Sequence, residues 1–394
     1  MSEPFMFEKP LGMRDVLPAR FRMQKRIAEW IQTELEAWGY EQVQTPALEY
    51  YETVGKSSAI SDKQLFKLID LHGNTLVLRP DMTAPIARLA SSSMKQVPYP
   101  LRLSYHSSLY RAQQVEGGRP AEFEQIGVEL IGDDTASADG EMLILFNQVL
   151  YKAGLNDFQI AIGHIGFLNA LFIEVLGTEK KAVALRQQLF EKNDVGFREQ
   201  VSLFNLSPNE EKKLLKLSLL RGGKEVLEEA EELVDSTAGK QAINELRDLA
   251  QLLEDDQLSS HVKFDLSLVL HMDYYTGCVF ETYHNRLAQP LGGGGRYDAL
   301  LEKFGRPGPA TGFGLRLDLL TEAIEKREGL EKRSCVLYSK ERRKEAYQLA
   351  DALRNEGKKV VIQDLKGIQN EDVIASVYED MHYVVGKTSG GQDE

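Results

Sequence analysis

Residues able to hold a small polar molecule recur in short, separated stretches of this chain. Asp81 lies in Leu78-Arg79-Pro80-Asp81-Met82-Thr83, Gln125 closes Glu122-Phe123-Glu124-Gln125, and Glu129 follows it. Tyr274 and Tyr275 sit in Met272-Asp273-Tyr274-Tyr275-Thr276, and Tyr297 in Arg296-Tyr297-Asp298. Two carboxylates and a carboxamide can grip an ammonium through charge-assisted hydrogen bonds, each worth about 1.5–3 kcal/mol. Tyrosines can bracket a planar ring and bond its nitrogens. Plainer readings stand beside these: a Tyr-Tyr pair can pack in a sheet, and Glu129 can be a satisfied buried acid. Other chemistries find less support. None of the seven histidines pairs at metal-ligand spacing, and neither a Ser/His/Asp set nor a cysteine nucleophile context is visible. Gly292 to Gly295 is no Walker loop, because no Gly-Lys-Ser/Thr follows; such a run lets backbone approach a ligand or a neighbouring strand closely. The sequence therefore predicts no metal and no cofactor.

Composition narrows the setting. A chain of 394 residues exceeds one ordinary core, so two or three domains are expected. No apolar run reaches the roughly 18–20 residues of a membrane-spanning helix, and the start, MSEPFMFEKP, lacks a basic-then-apolar leader. Two distant cysteines, Cys278 and Cys335, suit a reducing compartment, so a cytoplasmic protein is predicted. A net charge of −13 argues against a nucleic-acid partner, which needs a basic face to offset phosphate. The basic cluster Arg342-Arg343-Lys344 is flanked by Glu341 and Glu345 and reads as a solvated helix face.

These residues must be positioned by an alternation of helices and strands. Ile27, Trp30, Ile31, Leu35 and Trp38 recur at helical spacing and predict one amphipathic helix over 22–38, stopped by Gly39. Residues 42–48 read as extended, at a sheet edge or interface because Pro46 lacks a ladder N–H. A hairpin follows over 64–71 and 76–79 around His72-Gly73-Asn74, then a helix over 83–93. Strands over 101–111 and 121–132 pair across a loop at 116–120, and helices over 134–154 and 164–175 enclose a strand at 157–161. Between about 179 and 260 strand signals nearly vanish, as in a helical insertion. Strands resume at 263–270, at 278–283 and near the glycine run, and a helix over 314–326 closes the domain. After a charged linker, residues 334–387 alternate as a small βαβαβ unit that should hold a parallel sheet.

Taken in order, the polar signatures resemble the class II aminoacyl-tRNA synthetase catalytic domain of the histidyl type over roughly residues 8–326. Pro10-Leu11-Gly12-Met13-Arg14-Asp15 is similar to the family's opening, Gln44-Thr45-Pro46 to the end of its dimer-forming first motif, and 78–83 to its Leu-Arg-Pro-Glu-Gly-Thr. Tyr110-Arg111 and 122–125 frame the second motif's loop, 272–276 with Val279-Phe280-Glu281 resembles the histidine-specific segment, and Gly293-Gly294-Gly295-Arg296-Tyr297-Asp298 completes the set. The implied fold is α+β: an antiparallel sheet flanked by helices over 1–326, carrying the helical insertion, and the small C-terminal α/β unit. The resemblance assigns Asp81, Thr83, Arg111, Gln125, Glu129, Tyr274, Tyr275 and Tyr297 to histidine. A site that bonds polar ligand atoms rejects isosteres lacking them far better than an apolar pocket does.

The departures from that family decide the function. Adenylation needs preorganised positive charge on phosphate. Where the synthetases read Leu-Val-Arg-Gly-Leu-Asp-Tyr-Tyr, this chain has Leu268-Val269-Leu270-His271-Met272-Asp273-Tyr274-Tyr275, so Leu270 takes the catalytic arginine's place. Losing one such charge costs about 10²–10³ in rate. The third motif, Gly-Leu-Glu-Arg in the family, puts Leu319 in the adenine-stacking position, with Arg316 three residues earlier as the only local substitute. Gln113 and Val115 replace the family's Glu and Pro in the second motif. His271 reads as packed or solvated, with contact to a ligand as the alternative. The C-terminal unit is shorter than an anticodon-binding domain and lacks an evident basic-aromatic surface. The whole resembles the paralogue family of ATP phosphoribosyltransferase regulatory subunits. That implies no catalysis by this chain, a short-form phosphoribosyltransferase catalytic subunit as partner, and a homodimer within a hetero-octamer. It also implies feedback by L-histidine in histidine biosynthesis, and neither tRNA nor membrane as partner. Two other readings stay open: a divergent active histidyl-tRNA synthetase and a free-standing histidine sensor.

Overall fold

The computed structural model describes residues 8–58, 60–113, 120–270, 274–324 and 333–386. The segments at 114–119, 271–273 and 325–332, which hold Val115, His271 and most of the charged linker, lie outside the described residues. The chain divides into two compact units, Met1–Glu325 and Lys326–Glu394.

The first unit opens with helix α1, Pro18–Ala37, whose proline supplies a helical φ where no N–H is needed. Ile27, Ile31 and Leu35 form its buried stripe, and Gly39, at φ +80°, turns the chain out of the helix. Trp30 departs from the expected stripe. At 100° per residue it lies roughly 100° around the helix from the stripe's centre, and it is 41% exposed beneath the Arg26 guanidinium.

Short strands β1 (Glu41–Gln42), β2 (Leu48–Tyr50), β3 (Lys67–Ile69) and β4 (Thr75–Leu78) follow. Strands β2, β4 and β3 form a separate antiparallel sheet. Its hairpin turn is built by Asp70, whose carboxylate accepts from the N–H groups of His72 and Asn74 at 2.8 Å each. Helix α2, Thr83–Ser91, leads to the long strands β5 (Leu101–Tyr110) and β6 (Glu122–Ile131), paired along their whole length. Helix α3 (Ala136–Lys152), strand β7 (Gln159–His164) and helix α4 (Ile165–Leu176) come next.

Five helices fill the stretch from 179 to 255: α5 (Glu179–Phe190), α6 (Asp194–Ser202), α7 (Pro208–Leu217), α8 (Val226–Glu231) and α9 (Thr237–Asp255). Only the two-residue strand β8 (Arg221–Gly222) interrupts them among the described residues. A full capping box at Ser207 and Glu210 starts α7, and Ser236 caps α9 through the Gly239 N–H. Strands β9 (Val262–Asp265), β10 (Cys278–Tyr283), β11 (Gly292–Arg296) and β12 (Ala310–Arg316) complete the main sheet, and helix α10 spans Leu317–Ile324. Residues 310–316 are a strand where the helix was expected to have begun at 314. Gly312 and Gly314 conceal the alternation, because the face they occupy has no side chains to reveal a period of two.

The main sheet has nine strands in the order β1-β5-β6-β12-β11-β10-β7-β9-β8. It is antiparallel except for two parallel pairs, β1 with β5 and β7 with β9. Strand β1 does lie at the sheet edge. One face of the sheet packs on α1, α3, α4 and the helices of 179–255 through a single apolar cluster; the other carries a smaller cluster with α2. No helix among the described residues is long and apolar enough to cross a membrane. The second unit holds β13 (Ser334–Tyr338), α11 (Arg343–Asn355), β14 (Val360–Asp364), α12 (Glu371–Val377) and β15 (Asp380–Val384). Its sheet is wholly parallel, in the order β14-β13-β15.

Phe146 of α3 is the keystone of the main core: it meets Phe280 edge-on at 5.3 Å and Phe313 at 5.0 Å, and is fully buried. Phe146→Ala should cost about 3–5 kcal/mol in denaturant unfolding of the full chain. Trp30→Ala, on the exposed side of α1, should stay within about 0.5 kcal/mol.

Candidate functional site

The centre of the main sheet is glycine. In register across the strands, Glu281 opposes Gly293, Gly293 opposes Gly314, Gly314 opposes Gly127 and Gly127 opposes Tyr105. Directly opposed residues point to the same face, so three adjacent strands present a row without side chains. A Cβ at Gly314 would stand 2.5 Å from the Gln125 amide, and one at Gly312 would stand 2.0 Å from the Glu129 carboxylate. The bare row lets these two polar side chains lie flat on the sheet. One position along, Gly294 sits between Phe280 and Phe313 on the opposite face, where Phe146 packs.

All eight residues singled out in the sequence line one cavity over this floor: Asp81, Thr83, Arg111, Gln125, Glu129, Tyr274, Tyr275 and Tyr297. Gly293, from the run expected to let backbone approach a ligand or a strand, joins them, as do Tyr105, Phe313, Gly312 and Gly314, which were not expected. The space between the side chains is about 50 Å³, room for one or two waters. An amino acid enters only as these side chains shift. Asp273, in the same signature as Tyr274, falls outside the described residues.

Two carboxyls set the electrostatics. Glu129, 2% exposed, accepts from Thr83 Oγ1 at 2.8 Å and from the Tyr297 hydroxyl. Burial pushes its pKa up to about 8, against the pull of those two hydrogen bonds. Asp81, equally buried, accepts from the Ala84 N–H at 3.0 Å and from the Ser58 hydroxyl. The Tyr105 hydroxyl holds the Gln125 carbonyl at 2.9 Å. Tyr274 clusters with Tyr275 at 5.2 Å and with Tyr297 at 5.5 Å between ring centroids. Burial drives the Tyr105, Tyr274, Tyr275 and Tyr297 hydroxyls upward, so all four are neutral donors at physiological pH. Such an arrangement can bind and orient; it contains no activated nucleophile.

The positions that the resemblance associates with phosphate are filled as follows. Leu319 is 8% exposed, and both it and the half-buried Leu270 pack into the main core. Arg316 forms a two-pronged bond with Asp318, 2.6 Å and 3.2 Å, and a third to Gln289 at 3.2 Å. Arg111 donates to the Pro80 carbonyl at 2.9 Å. Both guanidiniums also lie over the Phe123 ring, at 5.3 Å for Arg111 and 4.5 Å for Arg316. Gln113 bonds the Arg111 carbonyl at 3.0 Å rather than reaching outward.

Comparison with known proteins places the chain in a family. The histidyl-tRNA synthetase family profile matches residues 12–320. A second profile, the C-terminal domain of histidyl-tRNA synthetase HisZ, matches residues 335–386. An ATP phosphoribosyltransferase regulatory subunit of Shouchella clausii is 68% identical over 392 residues, with 100% of each chain covered. One of Halalkalibacterium halodurans is 55% identical, again with 100% of each covered. A crystal structure of an ATP phosphoribosyltransferase regulatory subunit/histidyl-tRNA synthetase from Bacillus halodurans superposes with a TM-score of 0.91 at 55% identity, over 98% of this chain and 100% of that one. A histidyl-tRNA synthetase from Nostoc sp. PCC 7120 shares the fold, with a TM-score of 0.77 at 19% identity over 94% of this chain and 89% of that one.

The raised Glu129 pKa fixes a sign. Its folded value, about 8, exceeds the unfolded value of 4.5, so the native state holds the extra proton between the two and loses stability as pH rises through that window. Glu129→Gln removes the titration, and should raise the melting temperature over the parent at pH 8 while leaving it nearly unchanged at pH 5.

Proposed function

Because the chain belongs to the family of ATP phosphoribosyltransferase regulatory subunits, a non-catalytic branch of the histidyl-tRNA synthetase fold serving histidine biosynthesis, we propose that its pocket binds L-histidine and passes that occupancy to a short-form catalytic phosphoribosyltransferase subunit. The observation that carries this reading is the gathering of eight synthetase-like residues, Glu129 among them, in one pocket while Leu319 is packed into the core and Leu270 against it. The ligand's ammonium would sit against Asp81, Gln125 and Glu129, and its imidazole among the tyrosines. Thr83 would hold Glu129 in place, and Arg111 would bound the pocket on the Phe123 side. Feedback then requires histidine to favour one of two states of the complex, commonly by 1–3 kcal/mol. A cavity that must open to admit its ligand is suited to that task. The work would take place in the cytoplasm, where the buried free thiols of Cys278 and Cys335 stay reduced. The chain would need no tRNA and no metal.

The subunit would form a homodimer, within a hetero-octamer with the catalytic chain, through the small sheet. There Tyr50, Leu76 and Leu68 stand in one row and Leu48 opposes Leu78. Tyr50 is 53% exposed, Leu48 44% and Leu68 42%, an apolar face that water disfavours.

An active synthetase, which would use Arg316 or His271 in an altered role, is disfavoured by the pairing of Arg316 with Asp318. Histidine-dependent ATP–pyrophosphate exchange by the purified chain should be at background beside a genuine histidyl-tRNA synthetase, while L-histidine raises its melting temperature. Robust exchange, or a melting temperature indifferent to histidine, contradicts the reading. The catalytic chain should also gain activity on mixing with this one. For the dimer, Leu68→Glu should shift sedimentation-equilibrium mass from two chains to one, with the circular dichroism spectrum unchanged.

A further inference from the structure

The cavity over the glycine floor is short of positive charge. It contains two buried carboxyls, Asp81 and Glu129, and a single guanidinium, Arg111. That guanidinium is engaged with the Pro80 carbonyl and the Phe123 ring. Neither carboxyl forms an ion pair with a described lysine, arginine or histidine. Among the described residues, the other titratable groups facing Glu129 are the hydroxyls of Tyr105, Tyr274, Tyr275 and Tyr297, which are neutral and bring no charge. Two adjacent buried anions beside a single guanidinium, whose charge acts on Asp81, are costly, and a buried acid escapes the cost by holding its proton.

The hydrogen-bond partners decide which carboxyl does so. Asp81 is bonded by the Ser58 hydroxyl but also faces the backbone N–H of Ala84 at 3.0 Å, a group that can only donate, and the charge of Arg111 acts on it. Glu129 faces two hydroxyls, Thr83 and Tyr297, and a hydroxyl can donate or accept. A neutral Glu129 can therefore give its O–H to one of them, and an ionised Glu129 can accept from both, without any heavy atom moving. Both protonation states are accommodated in one geometry, as an exchangeable proton requires.

We propose that this pocket trades a proton for its ligand: without ligand Glu129 is a neutral carboxylic acid, and it releases that proton to solvent when the ligand's ammonium arrives to neutralise it. This rests on the reading of the pocket as an amino-acid site. At Glu129 itself one positive charge, the ammonium, replaces another, the proton. Occupancy then rises with pH, because proton and ligand compete for the same carboxylate. With Glu129 titrating at about 8, affinity should rise about eightfold from pH 6.5 to pH 7.5 and level off above pH 8. A feedback site of this kind would report intracellular pH together with ligand concentration.

The test is calorimetric titration of L-histidine into the full chain at pH 7.2, in phosphate and in Tris, whose ionisation enthalpies differ. The difference in observed heat counts protons, and close to one released per histidine is expected. Glu129→Gln should bind more weakly, with an affinity flat from pH 6.5 to 7.5. Histidine binding with no buffer-dependent heat, or with an affinity in the parent as flat as in Glu129→Gln, overturns the exchange while leaving the amino-acid site intact. Failure of histidine to bind the parent at any pH overturns the site and the exchange together. Should Glu129→Gln fail to fold, the proton count on the parent still decides.

Discussion

The constraint on which the first unit depends is that a carboxyl must lie flat on the middle of a β-sheet, out of water. Glu129 can do so only because the strand beside it carries no side chain at Gly312. The glycine row extends this clearance to Gln125, and the opposite face compensates by placing large aromatic side chains where the floor is thinnest. Pocket and core are two sides of one alternation. Phe313 anchors the core because its neighbours Gly312 and Gly314 leave the cavity open, and a change in register would exchange the two faces at once.

Binding and catalysis are separable in this architecture. The pocket residues sit on β5 and just past it, on β6, at the start of α2 and around β10, β11 and β12. Leu270 and Leu319 lie at the margins of those elements and point into the main apolar cluster. A leucine there gains burial that an arginine would have to forgo or pair, so the loss of phosphate chemistry is compatible with a well-packed fold. Arg316 illustrates the remaining arrangement. Once no phosphate requires a guanidinium, it is retained as one half of an internal ion pair with Asp318.

Much of this was legible in the residues, and the parts that were not share a cause. Helix α1, the hairpin around Gly73 and the paired strands β5 and β6 announce themselves by apolar period and turn chemistry. The eight pocket residues were legible through the order of short motifs, since composition alone leaves a Tyr-Tyr pair or a lone Glu ambiguous. Strand β12 was hidden because glycines erase the alternation that marks a strand. The floor was hidden for the same reason: Gly127, Gly312 and Gly314 contribute by what they lack. Tyr105 required the register of β5 against β6, which links residues 20 positions apart through Gln125. Trp30 was misassigned because a wide helical stripe and its flank share nearly the same spacing.

The glycine floor also bears on how such a chain can drift over generations. A catalytic arginine can be lost in one step that improves packing, and regaining it would mean reopening a filled core. The cavity is guarded differently, because its volume consists of absent methyl groups that any ordinary substitution would collide with. Decay of the chemistry is therefore downhill and nearly irreversible, whereas decay of the hollow is obstructed from the first step. A hollow built in this way can outlast the chemistry once done beside it.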